Sequence, residues 1–554
     1  MFPNNMNLKR KVFSFVALIL FAAVATAFPQ QTALQRREVH ALWAHPTEAG
    51  KTAEAVRTFV AKCKRANIDV IVMDVKGSDG ELYWRSKKFP QAIARGYENF
   101  DMLEHLVREA HAVGIKVDAW LVDNMEGANG AAFRAHPEWA QLNPDGETTL
   151  GEKLGKIRQY PYVWMCPARR PGYVDQWLIP LFEELAANYQ VDSVHHDYVR
   201  FPGDVAPDSF CFCDYCLKHI PRYAMLQYET RPEERYRVNS AQPRIEANWW
   251  SDPTMVPAAW DQMDRREKAN FILNGRTIPG GPPDMRYFFY DYRAHQIATL
   301  VREVSEHVKK INPKIQTSAA VFKNPILSGR FLGQHWDQWT DWIDVYMPMT
   351  YRSHFAGSFD AYLDHLTEMT ERQIEWIRHA RPVYAGIAST YLYREEYQPF
   401  DEIRDRIADL KSLPPIDSQR APVGAIVVSP DVERQREALS QRRADLTRAI
   451  STAYDAIGAR LAQVAPGRDR ELRALVVANT ANNGRDATTE SLDRLAKAIL
   501  DLRLDLPPGF MPPEKLARSI EAARKANPDG IAIFAAGSLD REKLWPALEA
   551  AFRR

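Results

Sequence analysis

One pattern recurs along this sequence: a short run of β-branched and apolar residues, a polar loop, and a stretch with apolar residues at helical spacing. Strands that alternate with helices in this way pair in parallel, because each helix carries the chain back to the starting edge of the sheet. The predicted strands are 37–45, 68–77, 114–124, 191–202, 314–322, 342–351, 381–390 and 529–539. Eight is the number of strands that closes a (β/α)8 TIM barrel, so an α/β barrel is the predicted fold.

An open, doubly wound parallel sheet is the alternative fold for the same pattern. That fold holds phosphates in a glycine-rich loop after its first strand, and the segment AHPTEAGKTAEA after strand one contains no such loop. The barrel is therefore expected to comprise residues 37–392 and 512–554.

Two long segments interrupt the alternation. Residues 203–285, after strand four, are rich in Pro, Trp, Arg and Tyr and are predicted to form a long loop. Residues 393–511, after strand seven, combine a long charged amphipathic helix with the short apolar runs GAIVVS and RALVVANT, which predicts an inserted α-rich or α+β segment. Alternatively, PVGAIVVSP is strand eight and the rest is an appendage. The insertion is preferred because 512–539 reads as a helix that leads into a buried strand.

The first residues predict export. The basic segment MFPNNMNLKRK precedes the apolar run VFSFVALILFAAV, and the small-residue pattern ATA follows at Ala25–Ala27. This is the pattern of a secretory signal peptide over residues 1–27, because the apolar run is too short to span a bilayer comfortably; an uncleaved anchor is the alternative. We expect a secreted or periplasmic protein with no membrane span after cleavage.

The charge balance argues against one class of partner. The chain has 72 Lys and Arg against 71 Asp and Glu, a formal net charge of +1. Nucleic-acid-binding proteins carry a basic excess or patch, so no nucleic-acid partner is expected.

Ionisable side chains concentrate at the end of strand four, in VHHDYVRFP (Val194–Pro202). Barrel active sites lie at the carboxyl ends of the strands. Side chains alternate between the two faces of a strand, which gives two groups: Ser193, His195 and Asp197, and His196, Tyr198 and Arg200. By the same rule Asp74 shares a face with Lys76, and Asp118 with Trp120.

Three aspartates are the candidate catalytic residues: Asp197, Asp74 and Asp123, which lies just past strand three. Glycoside hydrolysis needs one protonated acid and a second carboxylate that acts as nucleophile or activates water. Carboxylates crowded into a low-dielectric pocket raise one another's pKa, which supplies the protonated acid. The alternative structural roles are an ion pair of Asp197 with Arg200, and a turn capped by Asp74.

The polar and aromatic side chains near these aspartates are the candidate sugar-binding groups. They are His195, His196, Tyr198, Arg200, Lys76, Asp118, Trp120 and Tyr351. Aromatic residues of the loops would add stacking platforms: Trp84, Trp164, Trp249 and Trp250.

Four of the five cysteines form a candidate metal site. Cys211, Cys213 and Cys216 make a C-x-C-x-x-C motif, and Cys166 lies 45 residues before Cys211. Four thiolates suit tetrahedral zinc, and four protein ligands leave no open position, so this zinc would be structural. Two disulfides or a cluster of free thiols are the alternatives, since export permits disulfides. Cys63 is predicted to be a buried free thiol in a helix.

Several of these motifs together resemble a known family. VDSVHHDYVRFP, IVMDVKGSDGELYW and WIDVYMPMTY resemble the glycosyl-hydrolase-like family ten proteins, a bacterial TIM-barrel group distinct from the family-ten xylanases. Two of these stretches also resemble a sister group of glycoside hydrolases. The resemblance covers most of 37–392 together with 512–554. It implies a secreted or envelope barrel that acts on polysaccharide, with the aspartate that ends strand four, Asp197, as the leading catalytic candidate.

The sequence departs from the family pattern at two positions. Asp74 stands where that family leads us to expect a glutamine, and Asp118 where we expect a histidine. The cysteine motif is similar in spacing and placement to the zinc site of trimeric barrel β-galactosidases. Those enzymes use glutamates after strands four and seven, whereas here strand four offers Asp197 and YAGIAST in strand seven offers no glutamate. The β-galactosidase mechanism is therefore not expected.

Three functions fit these observations, in order of preference. The first is a secreted glycoside hydrolase that acts on a poly- or oligosaccharide. The second is a carbohydrate-binding barrel without turnover, which the missing strand-seven carboxylate favours. The third is a zinc hydrolase such as a deacetylase, which needs an open metal site. Its only dense ligand candidates, His195 and His196, point to opposite faces of one strand.

Overall fold

Eight parallel strands close into a barrel. In chain order they are β1 (Val39–Ala44), β2 (Val70–Lys76), β3 (Lys116–Val122), β4 (Ser193–Asp197), β5 (Gln316–Phe322), β6 (Val345–Met349), β7 (Tyr384–Ala388) and β8 (Gly530–Phe534). Each strand pairs with the next, and β8 pairs with β1, from Val39 opposite Gly530 to Trp43 opposite Phe534. The predicted TIM barrel is therefore confirmed, and the open sheet is wrong.

The computed structural model describes residues 37–154, 158–205, 207–229, 258–278, 282, 284–414 and 430–553. The predicted signal peptide, Trp249, Trp250 and the run GAIVVS lie outside these residues. Within the described ranges, no helix is both long and apolar enough to cross a membrane.

Helices surround the strands and bury one face each. The longer ones are α1 (Ala53–Arg65), α2 (Met102–Ala112), α3 (Ile179–Asn188), α4 (Asp214–Glu229), α5 (Arg265–Leu273), α6 (Met285–Ile311), α7 (Pro325–Leu332), α8 (Phe359–Trp376), α9 (Arg394–Ser412), α10 (Pro430–Val464), α11 (Pro466–Thr480), α12 (Thr489–Leu504), α13 (Glu514–Lys525), α14 (Ala536–Arg541) and α15 (Trp545–Ala551). In α1, the Thr52 side chain accepts the Ala55 N–H as an N-cap, and Cys63 is buried on the inner face as an unpaired thiol.

Shorter elements decorate the loops. The helical ones are Pro46–Ala49, Ala131–Ala135, Val174–Leu178, Ala258–Gln262 and Ser389–Leu392. Two antiparallel pairs lie between β3 and α3: Met125–Gly127 with Tyr162–Trp164, and Lys153–Leu154 with Arg158–Gln159. The first pair brings Trp164 toward the carboxyl end of the barrel.

The segments predicted as a loop and an insertion are largely helical where they are described. The chain after β4 forms α4 and α5, which corrects the prediction of a long loop over 203–285. Between β7 and α13 the chain forms the four helices α9 to α12, which pack against one another. The apolar run RALVVANT lies in α11, in keeping with the α-rich form of the predicted insertion. Leu472 and Val476 fall one helical turn apart and are both buried, which explains the helix.

An irregularity at the end of β2 turns one predicted site residue away from the barrel interior. Asp74 pairs with Trp120 of β3 and Lys76 with the next residue, Leu121, so two residues of β2 oppose one of β3. The bulge breaks the predicted alternation. Lys76 is completely buried, and its Nζ lies 3.2 Å from Glu126 Oε1 and 2.8 Å from the Val122 carbonyl oxygen. It binds the end of β3 and the loop that follows, and its complete burial leaves it inaccessible to a sugar.

Candidate active site

The interior of the barrel changes from apolar to charged toward the carboxyl ends of the strands. Val72 and Trp120 belong to an apolar cluster inside the barrel. Asp74 follows Val72 by two residues on the same face, and Asp197 ends β4. Their exposed fractions are only 6% and 7%. Two nearly buried carboxylates thus lie at the end of the barrel where this fold carries its active sites.

Asp197 is held in a setting that favours its protonated form. Burial raises the pKa of its carboxyl to about 7; the charges of Asp123 and Asp74 add to the rise, whereas Arg200 opposes it. Oδ1 accepts the Tyr198 N–H at 2.7 Å. A carboxyl with this pKa is about half protonated at neutral pH, which suits proton transfer in either direction.

The positive charge of Arg200 lowers the pKa of Asp197 without an ion pair between the two side chains. Within the described residues, no ion pair joins the two side chains at 4.0 Å or less. The guanidinium Cζ lies instead 4.4 Å from the ring centroid of Tyr198, 5.1 Å from that of Trp164 and 5.0 Å from that of Phe322. Three aromatic rings therefore hold this cation at the strand end by cation–π interactions, and the alternative Asp197–Arg200 ion pair is wrong.

The chain turns sharply directly after Asp197. Tyr198 has a φ of 51°, in the left-handed region that non-glycine residues seldom adopt. This conformation costs roughly 1–2 kcal/mol. It places the Tyr198 ring 5.8 Å from that of Trp164, beside the carboxylate.

Asp74 forms a pair with a histidine that the sequence analysis did not single out. His45 Nδ1 lies 3.1 Å from Asp74 Oδ2. Burial lowers the pKa of His45, but the hydrogen bond and charge of Asp74, with Glu48 and Asp197, raise it overall. For Asp74 the converse holds: burial raises the pKa of the carboxyl, and His45 partly offsets the rise. His45 is the last residue of the first predicted strand, REVHALWAH, so the strand-end rule could have found it.

The second carboxylate oxygen of Asp74 lacks a hydrogen-bond partner within the described ranges. Oδ1 is buried and accepts no hydrogen bond from the described residues. Buried carboxylate oxygens are nearly always satisfied, so an unsatisfied one at a strand end calls for a group that the protein alone does not supply.

Aromatic rings line the same end of the barrel. The His45 ring lies 5.1 Å from that of Trp120 and 6.1 Å from that of Phe534, which ends β8. Phe534 in turn stacks on Tyr351 at 5.7 Å, and burial with the charge of Asp197 raises the pKa of Tyr351 well above its usual value. The structure thus gathers Trp120 and Tyr351 around both carboxylates. Phe534 was missed because nothing in GIAIFAAG marks its phenylalanine as functional.

The side chains of Asp123 and His196 pair on the opposite face of β4 from Asp197, although the Asp123 N–H donates to the Asp197 carbonyl oxygen at 2.8 Å. Asp123 Oδ2 is 2.7 Å from His196 Nδ1, and both side chains are fully buried. Burial raises the pKa of Asp123, and His196 opposes the rise. Tyr173 closes over the pair, since its hydroxyl donates to the Asp123 carbonyl oxygen at 2.9 Å. His196 faces away from Asp197, as strand alternation requires, and keeps Asp123 with it inside the protein.

His195 and Asp118 form a polar layer inside the barrel, two residues below Asp197 and Trp120 along their strands. Trp43 Nε1 donates to His195 Nε2 at 3.2 Å, which leaves the ring proton on Nδ1. Nδ1 lies 2.8 Å from Ser318 Oγ, which donates to Asp118 Oδ2 at 3.0 Å. Burial lowers the pKa of His195 well below its usual value and raises that of Asp118 to about 7. These two residues support the strand ends from below.

The loop tryptophans are mainly packing residues. Trp84 and Trp164 are both completely buried. Trp84 Nε1 donates to Glu184 at 3.4 Å in the outer core, so it offers no sugar platform. Trp164 Nε1 donates to the Tyr160 hydroxyl at 3.0 Å, and the indole packs against Arg200.

The four candidate zinc ligands come together. The Sγ atoms of Cys166, Cys211, Cys213 and Cys216 all lie within 4.8 Å of one another, and all four residues are buried. Cys166 Sγ is 3.6 Å from Cys216 Sγ and 3.8 Å from Cys213 Sγ, and none of these thiols is in a disulfide. Tetrahedral sulfurs about 2.3 Å from a zinc ion are about 3.8 Å apart. The residues therefore fit a metal ion, and the cluster joins the loop after β3 to the start of α4.

One protein-family model, described as "Putative glycosyl hydrolase domain", matches residues 42–375, which is more than half of the chain. No curated protein matches the sequence.

Solved structures show only distant likeness. The alpha-L-fucosidase isoenzyme 2 from Paenibacillus thiaminolyticus is 13% identical over 68% of this chain and 44% of its own, with a TM-score of 0.39. The beta-galactosidase from the psychrophilic Marinomonas ef1 is 12% identical over 63% of this chain and 48% of its own, with a TM-score of 0.42. The chain spans less than half the length of these two proteins, and such TM-scores carry no argument about activity.

Proposed function

The chain belongs to the family described as "Putative glycosyl hydrolase domain", and we propose that this glycoside hydrolase cleaves a poly- or oligosaccharide with Asp197 as general acid and Asp74 as the second carboxylate. One observation carries the proposal. Asp197, buried where β4 ends and near Asp74, has a pKa raised to about 7 and so retains a proton to donate at neutral pH.

Bond cleavage needs a proton on the leaving oxygen. In the proposed step Asp197 gives its proton to the glycosidic oxygen while the bond from that oxygen to the anomeric carbon breaks, and the bonding electrons stay with the oxygen. Tyr198, whose N–H binds Asp197 Oδ1, then stabilises the carboxylate that results. The charge of Arg200 favours the same ionised product.

The anomeric carbon becomes electron-poor in the same step and needs a negative partner. Asp74 supplies it, either by direct attack or by taking a proton from an attacking water. His45 occupies Oδ2 and favours the ionised carboxylate. Oδ1 is buried without a partner among the described residues, and in the proposed step it meets the sugar or the water once the bound substrate has opened the site.

We further propose that the cysteine cluster holds a structural zinc ion. Four thiolates satisfy zinc completely, so the ion would supply rigidity and not chemistry. Cys166 lies two residues after Trp164, which packs on Arg200. The cluster would thereby fix the loop that carries Trp164, one of the three aromatic rings that surround Arg200.

Export is also a proposal. The basic, apolar and small-residue segments of residues 1–27 support a cleaved signal peptide. Amino-terminal sequencing of protein recovered from the medium or the periplasm of an expressing bacterium tests it. Phe28 as the first residue supports the proposal, and Met1 contradicts it.

A carbohydrate-binding barrel without turnover is the second candidate. The observation in its favour is that β7 ends at Ala388 and Ser389 follows, so this strand end contributes no carboxylate.

The test is release of reducing ends from a panel of bacterial and plant polysaccharides, with the parent, Asp197→Asn and the control Asp364→Asn, whose aspartate is exposed on α8. Hydrolysis by the parent and the control but not by folded Asp197→Asn supports the proposal. Equal hydrolysis by all three proteins contradicts the role of Asp197. Binding without hydrolysis by the parent favours the second candidate.

A further inference from the structure

A cavity of about 310 Å³ adjoins the carboxyl end of the barrel. Ser353 and Thr390 of the loops after β6 and β7 line it on one side, and α9 and α12 of the helical insertion line it on the other. Its volume is at the lower end of the range for small-molecule sites and accommodates about one sugar unit. The insertion therefore contributes a wall to a site beside the proposed catalytic carboxylates.

The cavity is linked to the carboxylates by aromatic rings. Tyr391, which lines the cavity and is 41% exposed, lies 6.1 Å from the ring of Tyr351. Tyr351 stacks on Phe534 and feels the charge of Asp197. Tyr391 thus offers an exposed ring at the cavity, and the buried Tyr351 connects that ring to the strand end that carries Asp197.

Positive charge predominates around the cavity. Three arginines line it, Arg394, Arg503 and Arg541, against a single acid, Asp401. Arg503 is paired with Asp401, and Arg541 lies 3.1 Å from the buried Glu542. Arg394 makes no ion pair or hydrogen bond with any described residue, and its side chain is exposed. The guanidinium of Arg394 therefore has no anionic partner in the part of the chain that the structure describes.

The two paired arginines are held in place. Arg541 Nη2 donates to Thr390 Oγ1 at 2.8 Å, and its Nε donates to the Tyr397 hydroxyl at 3.3 Å. The Arg503 Cζ lies 5.3 Å from the centroid of the Tyr397 ring. These partners already occupy much of the hydrogen-bonding capacity of the two guanidinium groups, which leaves Arg394 as the main donor for an anion.

We infer that the cavity is a binding subsite for a negatively charged sugar unit, so that the substrate is an acidic polysaccharide. The inference rests on the proposed function and specifies its substrate class. The anionic group is a uronate carboxylate or a sulfate ester, since a guanidinium binds both through the same paired hydrogen bonds.

The test measures binding separately from hydrolysis. Dissociation constants are determined by calorimetry for polygalacturonate and its carboxyl-reduced form, and for dextran sulfate and dextran, with the parent and with Asp197→Asn to stop turnover. Arg394→Gln removes the unpaired cation, and Arg442→Gln removes an exposed arginine of α10 as a matched control.

We expect at least one anionic polymer to bind more tightly than its neutral counterpart, and the pair that shows the difference distinguishes carboxylate from sulfate. Arg394→Gln should weaken that binding about tenfold, the scale of one hydrogen bond to a charged group, and leave binding of neutral polymers unchanged. Arg442→Gln should have no effect. The inference is wrong if neither anionic polymer is preferred, or if both arginine variants weaken binding equally, which indicates attraction to overall charge. Hydrolysis by Asp197→Asn would contradict the catalytic proposal without altering these affinities.

Discussion

The imidazole of His45 and the carboxylate of Asp74 form a hydrogen-bonded pair, with 3.1 Å between Nδ1 and Oδ2, and solvent reaches mainly the histidine, whose side chain is 39% exposed against 9% for the aspartate. The pair spans the ends of β1 and β2. It gives a nearly buried carboxylate a partner that favours its ionised form.

His45→Gln should make Asp74 harder to ionise. Burial already raises the pKa of Asp74, and the hydrogen bond and charge of His45 lower it. Loss of His45 should therefore raise this pKa further. The acidic limb of kcat/KM against pH should move to higher pH, with a loss of about tenfold on that limb if the pKa rises by one unit. The control is His111→Gln, which breaks an exposed pair with Asp192 at 2.9 Å and should leave the profile unchanged. An unchanged limb in His45→Gln would contradict the pairing role.

Asp197→Asn should stabilise the protein at alkaline pH. Burial raises the folded-state pKa to about 7, whereas an unfolded aspartate has a pKa of about 3.9. As pH rises from 4 to 7 the unfolded state therefore releases this proton first, and the parent loses stability that it retains below pH 4. Asparagine has no proton to lose. Scanning calorimetry should give a Tm about 2–4 °C above the parent at pH 8, with the advantage lost at pH 4. The same difference at both values would argue against a raised pKa.

Asp123→Asn should damage stability and spare the chemistry. Its carboxylate and His196 are fully buried, and breaking such a pair from one side costs about 3–5 kcal/mol. Urea unfolding should show this loss, while Asp364→Asn on exposed α8 should stay within about 0.5 kcal/mol of the parent. The folded fraction of Asp123→Asn should still hydrolyse substrate, with a lower pKa for Asp197 because the charge of Asp123 no longer raises it. A complete loss of turnover in folded protein would instead place Asp123 in the reaction.

The cysteine cluster predicts one zinc ion per chain by elemental analysis. Cys213→Ser should abolish zinc binding and lower Tm, because Cys213 Sγ lies 3.8 Å from Cys166 Sγ inside the cluster. Cys63→Ser changes a buried thiol outside the cluster and should keep its zinc. Full metal content in Cys213→Ser, or no zinc in the parent purified without chelator, would contradict the site.

The strand-end rule predicted the positions of Asp74 and Asp197 within the fold. Asp74 and Asp197 lie where period-2 alternation puts them, because both belong to regular strands buried on both faces. The same rule failed for Lys76, since the irregularity between Asp74 and Lys76 reverses the face of the next side chain. A single bulge leaves no mark in a sequence that reads as a continuous apolar strand.

The positions of other site residues depend on tertiary contacts, which cannot be read from local sequence patterns. The sequence predicts Asp123 to be a strand-end carboxylate of the site. In the structure its side chain is instead hydrogen-bonded to His196, which lies on the opposite face of β4 from Asp197. Phe534 belongs to the site only because β8 closes the barrel beside β1 and brings it to His45. The helical wall of the cationic cavity likewise requires α9 and α12 to meet, although about 100 residues separate Asp401 from Arg503.

The most direct measurement of the central claim compares natural and activated substrates in Asp197→Asn. A general acid matters most when the leaving oxygen is a poor leaving group, and it contributes about 10²–10⁴-fold to such a step. We predict a loss of that size in kcat/KM on the polysaccharide that the parent hydrolyses, and a much smaller loss on an aryl glycoside of the same sugar whose phenol leaves without protonation. Equal losses on both substrates, or no loss on either, would contradict the assignment of Asp197 as the proton donor.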